Sequence, residues 1–262
     1  MWAGQALGGR QGLLIAFVLA MGMNFFSYFF GDKLVLRTYG ARLVEGMDPY
    51  GLQKIVTNLS ERAGIPKPDV YIIPSETPNA FATGRSPKHA SIAATEGILR
   101  LLTKEELEGV LAHELSHVQH QDTLIMATAA TLGTIIMYLA NAFRWATFFG
   151  MEKKGSDRES IAGGIAIALI APFAATLIKL GVSRTREYSA DASGAEMTAN
   201  PQALASALWK IHNYSQAIPM VATPSTAHLF IINPLYAGGI AGLFSTHPPV
   251  EERIRKLIGR TL

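Results

Sequence analysis

The chain has 262 residues, with 23 Lys and Arg against 20 Asp and Glu, and its formal charge is only +3. There is no basic run or interleaved aromatic patch, which argues against nucleic acid as a partner. Hydrophobic residues reach 49% and charged ones only 16%, a low charged share that makes a membrane protein the first expectation. The lack of cysteine excludes disulfides, thiolate metal ligands and cysteine nucleophiles, so any metal must be held by histidine and carboxylate.

Three uncharged runs are long enough to cross a bilayer, which takes roughly 20 apolar residues in a helix. They lie between Arg10 and Asp32, between Asp122 and Arg144, and over 161–178 ahead of Lys179. The first ends in Phe25, Phe26, Tyr28, Phe29 and Phe30, aromatic residues of the kind found at membrane interfaces. It reads as a retained anchor rather than a signal peptide, whose apolar core would be shorter. The second and third runs are rich in Ala and Gly and have buried core helices as their rival reading. As spans, which we favour, they form a hairpin joined by 144–160. An even number of crossings then returns the chain to the side it left, and 32–122 and 183–262 share that side. Lys33, Arg37, Arg42, Arg184 and Arg186 on it balance Arg10, Arg144, Lys153, Lys154 and Arg158 on the other, so charge gives no orientation.

In the first segment outside the runs, Asp48-Pro49 predicts a helix start, with a cap followed by proline at the first helical position. The stripe Leu52, Ile55, Val56 and Leu59 continues it to Gly64. Strands are predicted over 70–73, 79–83 and 90–94, and a small antiparallel sheet is the economical arrangement. Thr103-Lys104-Glu105-Glu106 has the capping-box pattern. It starts a helix in which Leu107, Val110, Leu111 and Glu114 recur at helical spacing. Beyond the third run, 184–197 and 201–212 read as helices. Residues 211–250 hold no Lys, Arg, Asp or Glu, but Pro219, Pro224, Pro234, Gly238 and Gly239 interrupt them. They read as a packed loop with a short strand near 228–232, not as a fourth span.

The predicted helix after Thr103 contains His113-Glu114-Leu115-Ser116-His117. Two histidines four apart project from one helix face, which suits two corners of a tetrahedral metal site. Glu114 can then reach the open side and take a proton from water. The third-ligand candidate is Glu187, with Asp191 one turn further on, placed to accept a hydrogen bond from the far nitrogen of a ligand histidine. The competing reading pairs Glu187 and Asp191 with Arg184 and Arg186 on a wet helix face. His120 and Asp122 read as interfacial or as supports behind the ligands, and His89, His212 and His228 as surface or core histidines. His247, fixed ahead of Pro248 and Pro249 and of a final helix with Glu251, Glu252 and Arg253, either donates to an oxyanion or caps that helix. Asn79, Ala80, Phe81, Ala82 and Thr83 form a strand with few large side chains. An exposed edge there could pair with an extended substrate backbone, and an ordinary sheet strand is the alternative.

Together the aromatic anchor with Asn24-Phe25-Phe26-Ser27-Tyr28, the 79–85 segment, His113-Glu114-Leu115-Ser116-His117, the hairpin of spans, Arg186-Glu187-Tyr188-Ser189-Ala190-Asp191 and Thr246-His247-Pro248-Pro249 resemble the HtpX-type membrane zinc metallopeptidases, a prokaryotic family related to the CAAX prenyl proteases. The resemblance implies one Zn²⁺ per chain held by His113, His117 and Glu187, with Glu114 catalytic. It also implies a multi-pass location in the inner membrane with a cytoplasmic site, and cleavage of misfolded or damaged membrane proteins. The family pattern places another hydrophobic segment ahead of Gly8-Gly9-Arg10-Gln11-Gly12, where here only residues 1–7 stand, so three or four spans are expected.

The expectation is therefore a mainly helical α+β, zincin-like membrane protein. Residues 1–31 would anchor it, 32–122 and 183–262 would form two halves of the catalytic domain, and 123–182 the transmembrane hairpin. Its partners would be the lipid bilayer and polypeptide substrates. A prenyl-peptide protease is an alternative, though two or three short spans are few for an enclosed chamber; a non-catalytic metal-binding scaffold is another, though it has no use for Glu114.

Overall fold

The computed structural model describes residues 2–126, 184–217, 229–231 and 248–259, with isolated positions between 128 and 136. The chain opens with α1 (Trp2–Thr38), a helix of 37 residues. Val35 and Leu36 at its end are buried, whereas Leu14, Ile15, Phe17, Val18, Met21, Phe25 and Phe26 stay exposed. Among the described residues no helix is long and apolar enough to cross a membrane. The second and third runs read as spans lie largely outside the described residues.

Next come β1 (Arg42–Leu43), α2 (Leu52–Ala63), β2 (Asp69–Ile73), β3 (Ala80–Gly84), a short 3-10 turn and β4 (Ala90–Thr95). The helix predicted from Asp48-Pro49 starts later than expected, with Gly51 as its N-cap in a left-handed conformation. Asp48 still serves it: its Oδ2 accepts the Gln53 N–H at 2.7 Å, satisfying one of the orphan donors of the first turn. Gly64 ends the helix in the left-handed conformation, as glycine does at little cost.

The sheet is mixed, not antiparallel as expected. Its order is β1-β2-β4-β3, with β2 and β4 parallel and the other two pairs antiparallel. β4 lies between β2 and β3, so the return from β3 to β4 aligns β4 with β2. Along β3 the side chains alternate between the two faces. Ala80 and Ala82 join a core with α2, α3 (Glu96–Leu101), α4 (Lys104–Gln119), α6 (Pro201–Ala217) and α7 (Val250–Ile258). Phe81 joins a second cluster with Val35, Leu36, Met126, Leu229 and Phe230.

The capping box of α4 is formed on both sides, Thr103 Oγ1 accepting from Glu106 N–H and the Glu106 carboxylate from Thr103 N–H. Glu106 also accepts from Ser206 Oγ at 2.7 Å and Lys210 Nζ at 2.8 Å, which ties the start of α4 to α6. α5 (Arg184–Thr198) packs across α4 at Gly194, where an added Cβ would stand 2.9 Å from the His113 backbone nitrogen. The strand expected near 228–232 does not form at the described residues 229–231, which bend. Ile231 N–H nevertheless donates to Ala80 C=O at 3.0 Å, so the segment borders the sheet without extending it.

Candidate metal centre

The site is built by crossing two helices that each carry an i, i+4 pair. α4 presents His113 and His117, and their rings stand nearly perpendicular with centroids 4.8 Å apart. α5 presents Glu187 and Asp191. Two carboxylates and two histidines therefore meet in an interior where every one of them is 1–3% exposed. Buried charges need partners, and each of these groups has one.

His117 Nε2 lies 3.4 Å from Glu187 Oε1, and His113 Nε2 lies 3.8 Å from Glu187 Oε2. One ligand atom from each of the three residues falls within 4.8 Å of the others. Ligand atoms on a tetrahedral ion at about 2.0–2.1 Å would sit roughly 3.3 Å apart, so the donor set fits a metal with little adjustment. The opposite ring nitrogens are held by other carboxylates. His113 Nδ1 lies 2.9 Å from Asp191 Oδ1, and His117 Nδ1 lies 3.2 Å from Asp122 Oδ2. Each carboxylate accepts a hydrogen bond from Nδ1–H, which leaves the unprotonated Nε2 on the Glu187 side, the arrangement a metal-ligating histidine requires. Arg186 Nε in turn lies 3.4 Å from Asp122 Oδ1.

Glu114, between the two histidines on α4, is buried beside β3, with His117 and Glu187 close enough to act on its charge. Its carboxylate accepts the Ala82 backbone N–H, and burial pushes its carboxyl up to about 8. Burial also pulls the His113 imidazole down. For His117 burial acts in the same sense, but the Asp122 hydrogen bond and the Glu187 and Glu114 charges outweigh it and raise the imidazole to about 8. A divalent cation at this centre would displace protons from its ligands, because imidazole and carboxylate bind metal deprotonated.

Arg253, fully buried on α7, joins the site although no motif in the sequence places it there. Its Nε and Nη2 grip Asp191 at 2.8 and 2.6 Å, and Nη1 donates to Ile231 C=O at 2.9 Å. Burial would raise the Asp191 carboxyl, yet the guanidinium holds it down at about 2. A signal for this is present. Val250, Arg253, Ile254 and Leu257 fall on one helical stripe, and a charge inside an apolar stripe calls for a buried partner. The neighbouring Glu251 and Glu252 mask it by making the helix look charged all round.

Of the other expected site residues, Asn79, Ala80, Phe81, Ala82 and Thr83 lie on or beside β3 and all are buried, so the exposed edge expected there is not seen; Ala82 N–H meets the Glu114 carboxylate. His247 lies outside the described residues. His89 meets Ser86 at the surface, 3.1 Å from Nδ1 to Oγ, and His212 is half-buried on α6.

A helix with two histidines four apart and a glutamate between them, crossed by a second helix carrying a carboxylate, defines a metallopeptidase site. Residues 50–261 match the profile of Peptidase family M48, and the chain belongs to that family. Its relatives include proteins described as Protease HtpX homolog. That of Desulfatibacillum aliphaticivorans is 52% identical over 98% of this chain and 83% of its own length. That of Paraburkholderia phytofirmans is 51% identical over 97% of this chain and 90% of its own. A crystal structure of S. mikatae Ste24p shares the fold, with a TM-score of 0.56 at 20% identity over 98% of this chain; the chain spans 61% of that protein's length. The protein is thus an M48 metallopeptidase with a mainly helical, Ste24p-like fold.

Proposed function

We propose that the protein is a membrane-anchored zinc endopeptidase in which His113, His117 and Glu187 hold one Zn²⁺ and Glu114 is the general base. The observation that carries this reading is the aim of both Nε2 atoms at Glu187 while both Nδ1 atoms are tied to carboxylates. Zinc suits a donor set of two imidazoles and one carboxylate with no thiolate. When bound it supplies Lewis acidity to a water and to the substrate carbonyl.

The remaining steps belong to the chain's own groups. Glu114, raised in basicity by burial and oriented by Ala82 N–H, takes the water's proton and returns it to the leaving amine. Asn79, Ala80, Phe81, Ala82 and Thr83 offer a strand edge beside that carboxylate for an extended polypeptide. His247, ahead of Pro248 and Pro249 in the sequence, donates to the oxyanion. Asp191 and Asp122 hold the ligand rings.

The membrane part of the reading rests on other support. Residues 1–31 would anchor the chain and 123–182 would form a hairpin between the catalytic halves 32–122 and 183–262. The row of exposed apolar residues from Leu14 to Phe26 and the uncharged runs favour this arrangement. A site one turn from the start of such a hairpin suits membrane-protein substrates, misfolded or damaged ones included, with the catalytic side facing the cytoplasm.

The test uses purified full-length protein in detergent. Metal analysis should return one zinc per chain, and cleavage of an unfolded polypeptide should stop with chelator and resume with Zn²⁺. Glu114→Gln should keep the metal and lose cleavage. Retained proteolysis in that variant would remove the mechanism, and zinc without proteolysis in the wild-type protein would favour a non-catalytic metal-binding scaffold.

A further inference from the structure

Each histidine of the centre is backed by a carboxylate, and each carboxylate by an arginine. Behind His113 stands Asp191, gripped by Arg253. Behind His117 stands Asp122, whose Oδ2 lies 3.2 Å from Nδ1 while its Oδ1 lies 3.4 Å from Arg186 Nε. A carboxylate held at one oxygen can still pivot, because the torsion about its last side-chain bond is broad. Held at both oxygens its plane is fixed, and with it the ring that donates to it.

The path of the chain between His117 and Asp122 serves the same end. On an unbroken helix a residue five positions on lies about 140° further round, and its side chain leaves from another face. Gln121 instead takes a φ of 60°, a left-handed conformation uncommon for a residue other than glycine. The chain is helical again from Asp122. Asp122 and Thr123 are then buried, and Met126 joins the cluster of Phe81 and Phe230. Backbone outliers of this kind collect at functional sites, and the turn at Gln121 brings the Asp122 carboxylate back to the His117 ring.

We propose that Arg186 is a positioning residue of the metal centre, acting through Asp122 to hold the His117 ring with Nε2 turned towards the metal. This rests on the reading of His113, His117 and Glu187 as ligands. Arg186 precedes Glu187 on α5, so its ion pair ties the helix that carries one ligand to the ring of another ligand on α4. The same pair joins the chain on the two sides of 123–185. Unlike the buried Arg253, Arg186 has a side chain 32% exposed. Truncating it does not hollow out the core, and its effect on the metal can be measured in a folded protein.

The experiment uses purified full-length protein in detergent. Zn²⁺ affinity is read by competition with a chelating dye, and ligand geometry by the visible absorption of Co²⁺-loaded protein. Arg186→Ala should weaken Zn²⁺ binding about 2–30-fold, the range for a residue that acts through a neighbour, and should shift the Co²⁺ bands. Arg186→Gln, of similar length without the charge, should do the same and stands in if the alanine variant fails to fold. Arg184→Ala removes an exposed cation from the same helix and should change neither readout. In an Asp122→Ala background the Arg186 substitution should have no further effect, since the group it acts through is gone. Wild-type affinity and bands in the Arg186 variants, an equal loss in Arg184→Ala, or a loss undiminished in the Asp122→Ala background overturns the proposal. If Asp122→Ala fails to fold, the comparison between positions 186 and 184 still decides. Wild-type protein that binds no Zn²⁺, or His117→Ala that binds it as well as wild type, removes the ligand reading itself, a result distinct from an inert Arg186.

Discussion

Arg253 meets Asp191 through two parallel bonds, Nε to Oδ2 at 2.8 Å and Nη2 to Oδ1 at 2.6 Å, and both side chains are buried. Such a fork is geometrically specific, and it fixes the carboxylate that orients His113. Arg253→Ala would leave Asp191 charged in the interior with only His113 Nδ1 beside it, a change that costs about 3–5 kcal/mol. Denaturant unfolding should show that loss, and metal titration should show affinity reduced by about 10–100-fold. Arg253→Lys keeps the charge without the fork and should recover part of the stability but less of the metal affinity.

α4 and α5 approach most closely where Gly194 crosses His113. A Cβ at Gly194 would sit 2.9 Å from the His113 nitrogen and 3.1 Å from its Cα, contacts that only backbone movement can relieve. Gly194→Ala should therefore cost about 1–3 kcal/mol and move Glu187 relative to both histidines. Weaker metal binding with secondary structure retained, read by metal titration and circular dichroism, is the expected outcome.

The Glu106 carboxylate contributes a pH-dependent term. Burial alone would raise its carboxyl, but the bonds from Lys210, Ser206 and Thr103 hold it below the usual range. A group with a depressed folded pKa stabilises the fold fully above its unfolded value, about 4.3 for glutamate. That contribution is lost as pH falls through the lower folded value. Glu106→Gln should flatten the stability profile below about pH 4.3 and cost about 1–2 kcal/mol at neutral pH, since it also weakens the helix cap. Urea unfolding at stepped pH measures both.

Metal removal should destabilise the protein as a whole, because the three proposed ligands come from both halves of the chain. A metal at 100 times its Kd stabilises the native state by about 2.7 kcal/mol. Chelation should lower Tm accordingly, and His113→Ala should show a low Tm that chelator no longer changes.

Much of the site is legible in local sequence because the signals act within one or two turns. The capping box at Thr103 and the pair His113 and His117 depend only on helical spacing, as does the pair Glu187 and Asp191. The start of α2 is less legible, because Gly51 takes a left-handed conformation that lets Asp48 cap from further back. The parallel pairing of β2 with β4 is hidden for a different reason: it depends on which strand takes the interior position, and no spacing within a single strand encodes that.

That two helices each present a pair of site residues one turn apart is written in the order of residues, since side-chain direction follows from helix geometry alone. The supporting partners are set by the folded chain instead: Asp122 holds His117, Arg253 reaches Asp191 from α7, and Ile231 bonds to Ala80 on β3. His117 and Asp122 stand 5 residues apart, and Asp191 and Arg253 stand 62 apart. Ala80 and Ile231 are more distant still. Over the longer separations no local periodicity connects the partners, and the cost of burying an unpaired charge or backbone group selects the match.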